Sequence, residues 1–417
     1  MDIPLIVLLL GALVFLGHFF DSLFNIFKIP DLLFLMIIGL VCGPLLGLIT
    51  PDQFGFVGPI FATITLIIIL FEGGVNLKID AIIGSLRDAT ILTLINFSLT
   101  VIIIAALTML LFQLSPLISL MAGVIVGGTT SAVVIPLVRY LNLQEESIAI
   151  LSIESALSDV LCIVTFIAIL EIYQFGELDI GFISGRLLAS IFVALIIGVG
   201  GGIGWTYIHN KITICKDVFS TPAFVFILYG IVEWLGFSGA IAALAFGVTL
   251  GNIHYIKNIV TKDIDIELTK TERLFFSETV FLLKTFFFIF IGISLNFTQL
   301  SILLAGITMT GFLYVIRIPV VGVVIPRSIP LWDAIVMSVM IPKGLAAAVL
   351  ASIPLQEGII EGFFIKELVY SIILFSIVIN SVLIVFLERT SLPRVYRSLF
   401  RYIGKQFSIS GNRIDLR

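Results

Sequence analysis

The chain consists of long apolar segments separated by short polar ones. A helix needs about 20 apolar residues to cross a bilayer, and this length predicts thirteen membrane-spanning helices. They cover residues 3–20, 31–49, 55–75, 89–112, 115–140, 146–171, 183–208, 219–234, 238–253, 274–296, 302–325, 331–353 and 366–388. We therefore predict an all-α membrane protein with about thirteen transmembrane helices.

The composition agrees with this class. The chain is 59% hydrophobic and 12% charged, with a mean hydropathy of +1.22, whereas soluble domains are typically about 25% charged. Most of the 23 lysines and arginines fall in alternate loops and in the segment 389–417. The positive-inside rule places these loops in the cytoplasm. We therefore predict an outer N-terminus and a cytoplasmic C-terminus.

Two acids, Glu154 and Asp159, lie in the middle of the predicted span 146–171. A charge at the bilayer centre costs at least about 2.5–3.5 kcal/mol, so an acid there is first considered functional. Glu154 and Ser158 share one face of the helix, and Ser155 and Asp159 share the adjacent face. Such a cluster of oxygens suits a hard cation or a proton.

Two other spans contain glycine- or proline-rich interruptions at corresponding places, residues 127–131 and 341–344. Paired interruptions of this kind indicate the binding site of a secondary transporter; ordinary kinks with small-residue packing are the alternative. Unwound backbone at membrane depth must be buried in protein or line a water-filled cavity. We predict that the two interrupted helices cross near the midplane and place Thr129 and Thr130 beside the acids.

The buried charges suggest distinct roles. Asp159 is predicted to carry the ion and the proton, because desolvation favours a neutral carboxyl and lets the two compete for its oxygens. A static partner for a buried base is the alternative for Asp159. Glu154 is predicted to form a permanent ion pair with Arg317, with a ligand or proton role as the alternative. Lys343 is predicted to offset the negative end of a broken helix.

A weak internal repeat is present. Residues 70–76 resemble residues 289–296, and residues 43–47 resemble 247–251, at similar offsets. One span, 183–208, would lie between two halves of six helices each. The halves would then have opposite orientations, which predicts the inverted-repeat plan of secondary transporters.

These motifs together resemble those of the monovalent cation:proton antiporters of the archaeal NhaP type, over essentially the whole membrane region. Residues 70–77 are similar to the third-helix motif of that family. The Glu154-Ser155 pair followed by Asp159 resembles its ion-binding helix, and Arg317 with residues 342–348 resembles its later signature helices.

The resemblance implies a homodimer in which a six-helix core moves to give alternating access. It implies that Asp159, Ser155, Glu154 and the backbone of Thr129 bind the cation, and that Glu154 is paired with Arg317. It also implies electroneutral exchange of one cation for one proton, in the plasma membrane of a prokaryote. The corresponding division of the chain is scaffold and dimerisation helices in 1–88, core helices in 89–182, a linker and scaffold helices in 183–301, core helices in 302–388, and a basic cytoplasmic tail in 389–417.

The chain departs from the family pattern at three positions. Ser158 replaces an asparagine, Thr130 replaces an aspartate, and Lys343 replaces an arginine. We hypothesise that the less charged and roomier site shifts preference from sodium towards potassium.

The predicted function is therefore exchange of Na⁺, or K⁺ or Li⁺, for H⁺ in a lipid bilayer, with no cofactor and no nucleic-acid partner. Two alternatives stay open: a sodium-coupled symporter of an organic anion, and a cation or pH sensor that does not transport. An enzyme is not expected, because no span carries a nucleophile, a base and an orienting group at a suitable spacing.

Overall fold

The computed structural model describes residues 8, 11–20, 22, 31–51, 57–76, 79–175, 180–211, 219–253, 270–295 and 299–402. Helices in this part of the chain are α1 (Gly11–Phe20), α2 (Asp31–Leu40, continuing into a π-helical turn at Val41–Leu45), α3 (Val57–Asn76), α4 (Ile79–Phe112), α5 (Pro116–Ile125), α6 (Ser131–Tyr140), α7 (Glu145–Phe175), α8 (Ile180–Lys211), α9 (Ser220–Trp234), α10 (Gly239–Gly251), α11 (Lys270–Ser294), α12 (Leu300–Val324), α13 (Leu331–Val339), α14 (Leu345–Gln356), α15 (Gly362–Arg389) and α16 (Leu392–Tyr402).

The predicted all-α membrane class is confirmed. Six helices of the described residues are long and apolar enough to cross a membrane. They are Arg87–Phe112, Glu145–Gln174, Phe192–His209, Leu274–Ser294, Leu300–Val324 and Gly362–Arg389. The total of thirteen spans stays a prediction. The start of the span 3–20 and residues 403–417 of the predicted tail lie outside the described residues.

The two predicted interruptions are present. The span 115–140 consists of α5 and α6, separated by residues 126–130, and the span 331–353 consists of α13 and α14, separated by residues 340–344. The largest boundary difference is at α4, which begins at Ile79, whereas the predicted span begins at 89. The helix continues through the polar residues Asp88 and Arg87 because its backbone hydrogen bonds do not require apolar side chains.

The chain divides into two compact units. Unit 1 comprises Met1–Gly55, Gly84–Cys162 and Thr285–Arg417, and unit 2 comprises Phe56–Ile83 and Ile163–Lys284. In unit 2, α3 packs on α10 at a core that includes Phe71, Phe246 and Phe276. The ring centroid of Phe71 lies 5.6 Å from that of Phe246 and 4.8 Å from that of Phe276.

Glycines bring helix backbones into contact in each unit. In unit 2, a Cβ on Gly247 of α10 would overlap the carbonyl oxygen of Phe71 in α3. In unit 1, a Cβ on Gly292 of α11 would overlap the carbonyl oxygen of Met36 in α2. Each contact joins one helix from each half of the predicted repeat, since α2 corresponds to α10 and α3 to α11. The two reciprocal contacts, of α3 with α10 and of α2 with α11, are consistent with that repeat.

Candidate functional site

The interruptions of the two broken helices cross each other in unit 1. The backbone N–H of Thr130 donates a hydrogen bond of 2.9 Å to the carbonyl oxygen of Pro342. Gly344, which precedes α14, has its Cα against the Thr130 side chain, so that a Cβ at position 344 would overlap that side chain. The predicted crossing is therefore present, and the small residue is required because the two backbones approach so closely.

Lys343 connects this crossing to a third helix. Its ammonium donates a hydrogen bond of 2.9 Å to the carbonyl oxygen of Gly128, just beyond the C-terminal end of α5. Its backbone N–H donates to Ser376 Oγ in α15, also at 2.9 Å. The side chain is buried. The ammonium thus lies where the partial negative charge of the α5 end is concentrated.

Glu154 and Arg317 form a buried two-pronged ion pair. Arg317 Nη1 bonds Glu154 Oε1, and Arg317 Nη2 lies 2.6 Å from Glu154 Oε2. The relative exposures of these two side chains are 1% and 0%. Arg317 Nε donates at 3.0 Å to the carbonyl oxygen of Met337, in the last turn of α13. The guanidinium therefore donates hydrogen bonds to a carboxylate and also to a carbonyl oxygen that has no partner within its own half-helix.

Three hydroxyl residues join α7 to the first interruption. Ser158 Oγ accepts a hydrogen bond of 3.0 Å from the Thr129 N–H and donates one of 3.0 Å to the carbonyl oxygen of Ser155. Thr129 Oγ1 lies 3.4 Å from Ser155 Oγ and 3.5 Å from Ser158 Oγ. All three side chains are buried. The serines thus fix an unwound segment whose backbone has lost its helical partners.

Asp159 lies beside the same segment, and its surroundings differ from those of Glu154. A Cβ built on Gly128 would lie 3.2 Å from Asp159 Oδ1, so the carboxylate rests against the backbone of the interruption. Lys343 attracts it electrostatically. Within the described residues no group donates a hydrogen bond to it, and its side chain is partly exposed.

The structure thus brings all eight predicted site residues into unit 1: Glu154, Ser155, Ser158, Asp159, Thr129, Thr130, Arg317 and Lys343. A further base, Lys284, lies within the predicted span 274–296 but belongs to unit 2, where its ammonium lies 5.5 Å from the centroid of the Phe281 ring.

Sequence reasoning missed several residues of this site. Ser376 binds the backbone of Lys343, and its own carbonyl oxygen accepts a hydrogen bond of 2.9 Å from the Tyr314 hydroxyl. Cys162 is buried one helical turn beyond Asp159, with its Sγ against Gly128. Its i+3 spacing from Asp159 could have indicated a shared face. Ser376 offered no signal, because hydroxyls in apolar helices commonly bond only their own backbone.

The arrangement is suited to a singly charged ion or a proton. It contains the carboxylate of Asp159, to which no base among the described residues is hydrogen-bonded, together with hydroxyl and carbonyl oxygens. Such oxygens are the ligands that hard cations prefer. No group of three or more His, Cys, Asp or Glu residues with the proximity needed for a metal ion occurs in the described part of the chain.

Known proteins share this architecture. The structure of the sodium proton antiporter MjNhaP1 from Methanocaldococcus jannaschii is similar, with a TM-score of 0.73 at 20% sequence identity, covering 92% of this chain and 100% of that one. In sequence, the Na⁺/H⁺ antiporter 1 of the same organism is 25% identical over 72% of this chain and 71% of its own length.

A second group of relatives is matched over a shorter segment. The K⁺/H⁺ antiporter NhaP2 of Shewanella sp. strain ANA-3 is 28% identical over 54% of this chain, and the match spans only 40% of that relative's length.

The family model described as "Sodium/hydrogen exchanger, transmembrane" matches residues 9–389. That range contains both interrupted helices, the acids of α7 and the arginine of α12. The chain therefore belongs to the sodium/hydrogen exchanger family, a family of transporters and not of enzymes.

Proposed function

We propose that this protein exchanges a monovalent cation for a proton across the membrane, at Asp159. The observation that carries the proposal is the contrast between a fully paired Glu154 and a partly exposed Asp159 without a hydrogen-bond donor among the described residues. A carboxylate in apolar surroundings requires a neutralising partner. Either a proton or a cation can be that partner, and binding of one prevents binding of the other.

The charges of the site favour electroneutral exchange. Arg317 neutralises Glu154, and Lys343 adds one positive charge whichever ligand is bound. Asp159 then carries either one proton or one monovalent cation, so the loaded site has the same charge in both states. The predicted stoichiometry is one cation for one proton.

The cation would be held by Asp159 together with Thr129, Ser155 and Ser158, whose oxygens lie within one hydrogen-bonded group. Glu154 would act through Arg317 or contribute a remaining lone pair, and Thr130 would shape the site at the crossing. Na⁺ and K⁺ are both candidates, since the chain is similar to a sodium antiporter and to a potassium antiporter, and Li⁺ is a third candidate as another monovalent cation.

Alternating access would come from movement of the core helices (89–182 and 302–388) against the scaffold helices (1–88 and 183–301). We propose a homodimer formed through the scaffold, in a prokaryotic plasma membrane. The N-terminus would lie outside, and the basic segment 389–417 would lie in the cytoplasm.

The test uses the full chain reconstituted into liposomes with an imposed proton gradient and a lumenal pH dye. We expect Na⁺, K⁺ or Li⁺ to dissipate the gradient, at a rate that does not respond to an imposed membrane potential. A potential-dependent rate would contradict electroneutrality. If no simple cation moves protons, the exchange proposal is wrong, and symport of an organic anion or sensing without transport takes its place.

A further inference from the structure

The short helix α16 presents three different surfaces. It has 11 residues and starts three residues after the end of α15, the 28-residue span that precedes it. Side chains three or four positions apart lie on the same face of a helix. This spacing separates a packed face, a basic face and an apolar face on α16.

The packed face holds the helix against unit 1. Tyr396 and Phe400, four residues apart, are buried, and α16 contacts α12, α13 and α15. Burial raises the pKa of Tyr396, so the phenol stays neutral in this contact. The other two faces are therefore fixed in direction by this packing.

The basic face consists of Arg394, Arg397 and Arg401. Arg394 and Arg401 are exposed and Arg397 is half-buried. Among the described residues, no acid forms an ion pair with Arg397 or Arg401. Two guanidinium groups are thus left on one side of the helix with their charge uncompensated.

The apolar face consists of Val395, Leu399 and Tyr402, with relative exposures of 54%, 39% and 92%. An apolar strip beside an arginine-rich strip is typical of a helix that lies in the membrane interface. Its chain position agrees, because α15 is long enough to bring the chain to the membrane surface at Arg389.

We propose that α16 binds anionic phospholipid headgroups. Arg397 and Arg401 contact the phosphate groups, with Arg394 beside them, while Val395, Leu399 and Tyr402 enter the acyl-chain boundary. Guanidinium groups bind phosphate through paired hydrogen bonds, and basic residues at the membrane surface attract anionic lipids.

The packed face links this lipid site to the ion site. Helix α16 contacts α12, and Tyr314 of α12 donates a hydrogen bond of 2.9 Å to the carbonyl oxygen of Ser376. Ser376 Oγ in turn accepts from the backbone of Lys343 in the second interruption. Lipid that holds α16 in place would thereby support the position of Lys343. This coupling step rests on the proposed exchange function, whereas the lipid site itself does not.

The binding test measures the melting temperature of the purified full chain in detergent, with added phosphatidylglycerol or phosphatidylcholine. We expect phosphatidylglycerol alone to raise it, with a half-saturating concentration about tenfold or more higher in Arg397→Gln/Arg401→Gln. Arg87→Gln/Arg327→Gln is the matched control, since both arginines are exposed elsewhere in unit 1. Choline chloride should weaken the effect by screening.

Three results would overturn the proposal: equal stabilisation by both lipids, equal loss in the control variant, or no effect of the substitutions. A change of oligomeric state in Arg397→Gln/Arg401→Gln on gel filtration would instead assign this face to a subunit contact. Val395→Ser/Leu399→Ser should also weaken lipid binding, which separates a lipid from a free phosphate.

The coupling is tested by exchange rates in liposomes with and without phosphatidylglycerol. We expect the parent rate to rise severalfold with the anionic lipid and the Arg397→Gln/Arg401→Gln rate to stay constant. A parent exchange rate that does not change with lipid composition would contradict the coupling. Because melting temperature does not depend on ion flux, failure of the exchange proposal leaves the lipid-binding result interpretable.

Discussion

Glu154 and Asp159 lie five positions apart on the same helix, α7, in different surroundings. Glu154 is held at both oxygens by Arg317, which is itself anchored to Met337 of α13. Asp159 rests against the backbone at Gly128, attracted by an ammonium that is already hydrogen-bonded to that backbone. Glu154 is thus held in a fixed ion pair, whereas Asp159 is open to a ligand that binds and dissociates.

On the proposed function, this difference would let a transporter keep two acids in a membrane while only one of them exchanges its ligand. In the bidentate pair, the guanidinium of Arg317 occupies both oxygens of the Glu154 carboxylate. We therefore expect Glu154 to stabilise the crossing of the two interrupted helices through Arg317. Asp159 has no such pair, and on the proposed function its carboxylate takes a proton or a cation from solution.

The largest effect is expected at Asp159. Asp159→Asn keeps the side-chain volume and removes the charge, so neither a proton nor a cation is needed for neutrality, and exchange should fall to the background of empty liposomes. Asp333→Asn is the control, because Asp333 is another acid of unit 1 that is buried and accepts a 2.9 Å hydrogen bond from the Gln144 N–H. Equal loss in both variants would contradict a special role for Asp159.

Glu154→Gln should act mainly on stability. It leaves a buried guanidinium without its counter-charge, a change that typically costs about 3–5 kcal/mol. We expect a large drop in the free energy of unfolding, measured in detergent, and a similar drop for Arg317→Gln. The double variant should lose less than the sum of the two. Additive losses would show that the pair does not act as a unit.

Ser158→Ala should have an intermediate effect that extends the comparison to the hydroxyl ligands. It removes the acceptor of the Thr129 N–H, and a buried donor without a partner costs about 1–3 kcal/mol. The apparent cation affinity should fall on the order of tenfold, at an unchanged maximal rate, if the serine positions the ligands of Asp159. Ser352→Ala, a hydroxyl of α14 that bonds only local groups, is the control and should be neutral.

The smallest effect is expected at Thr130. Thr130→Asp adds a second acid beside the crossing, where Thr130 contacts Gly344. An added negative charge should favour the smaller cation, shifting the ratio of Na⁺ to K⁺ exchange by roughly threefold, or less than 1 kcal/mol. The ratio is read from paired flux assays of parent and variant. An unchanged ratio would rule out Thr130 as a source of selectivity.

Several features of the site could be predicted from the sequence because each has a strong local signal. Acids and bases in apolar spans are costly, which singled out Glu154, Asp159, Arg317 and Lys343 before any contact was known. Glycine and proline within spans marked both interruptions. Apolar length predicted most helix ends to within a few residues.

The rest depends on contacts between distant segments, which local patterns do not contain. The backbone bond from Thr130 to Pro342 uses groups that every residue has. Ser376 is one of many serines in apolar helices, and only the fold brings it to Lys343. The start of α4 at Ile79 was missed for another reason: hydropathy locates the membrane boundary, whereas backbone hydrogen bonding decides where the helix ends.

Competition between a proton and a cation for Asp159 can be measured without transport. NaCl, KCl or LiCl is added to purified protein in weakly buffered detergent solution, and the released protons are counted with a pH dye. We expect release approaching one proton per chain with a transported cation, at a pH where Asp159 is protonated, and none with choline chloride or in Asp159→Asn. Cation binding without proton release, or equal release from Asp159→Asn, would contradict it.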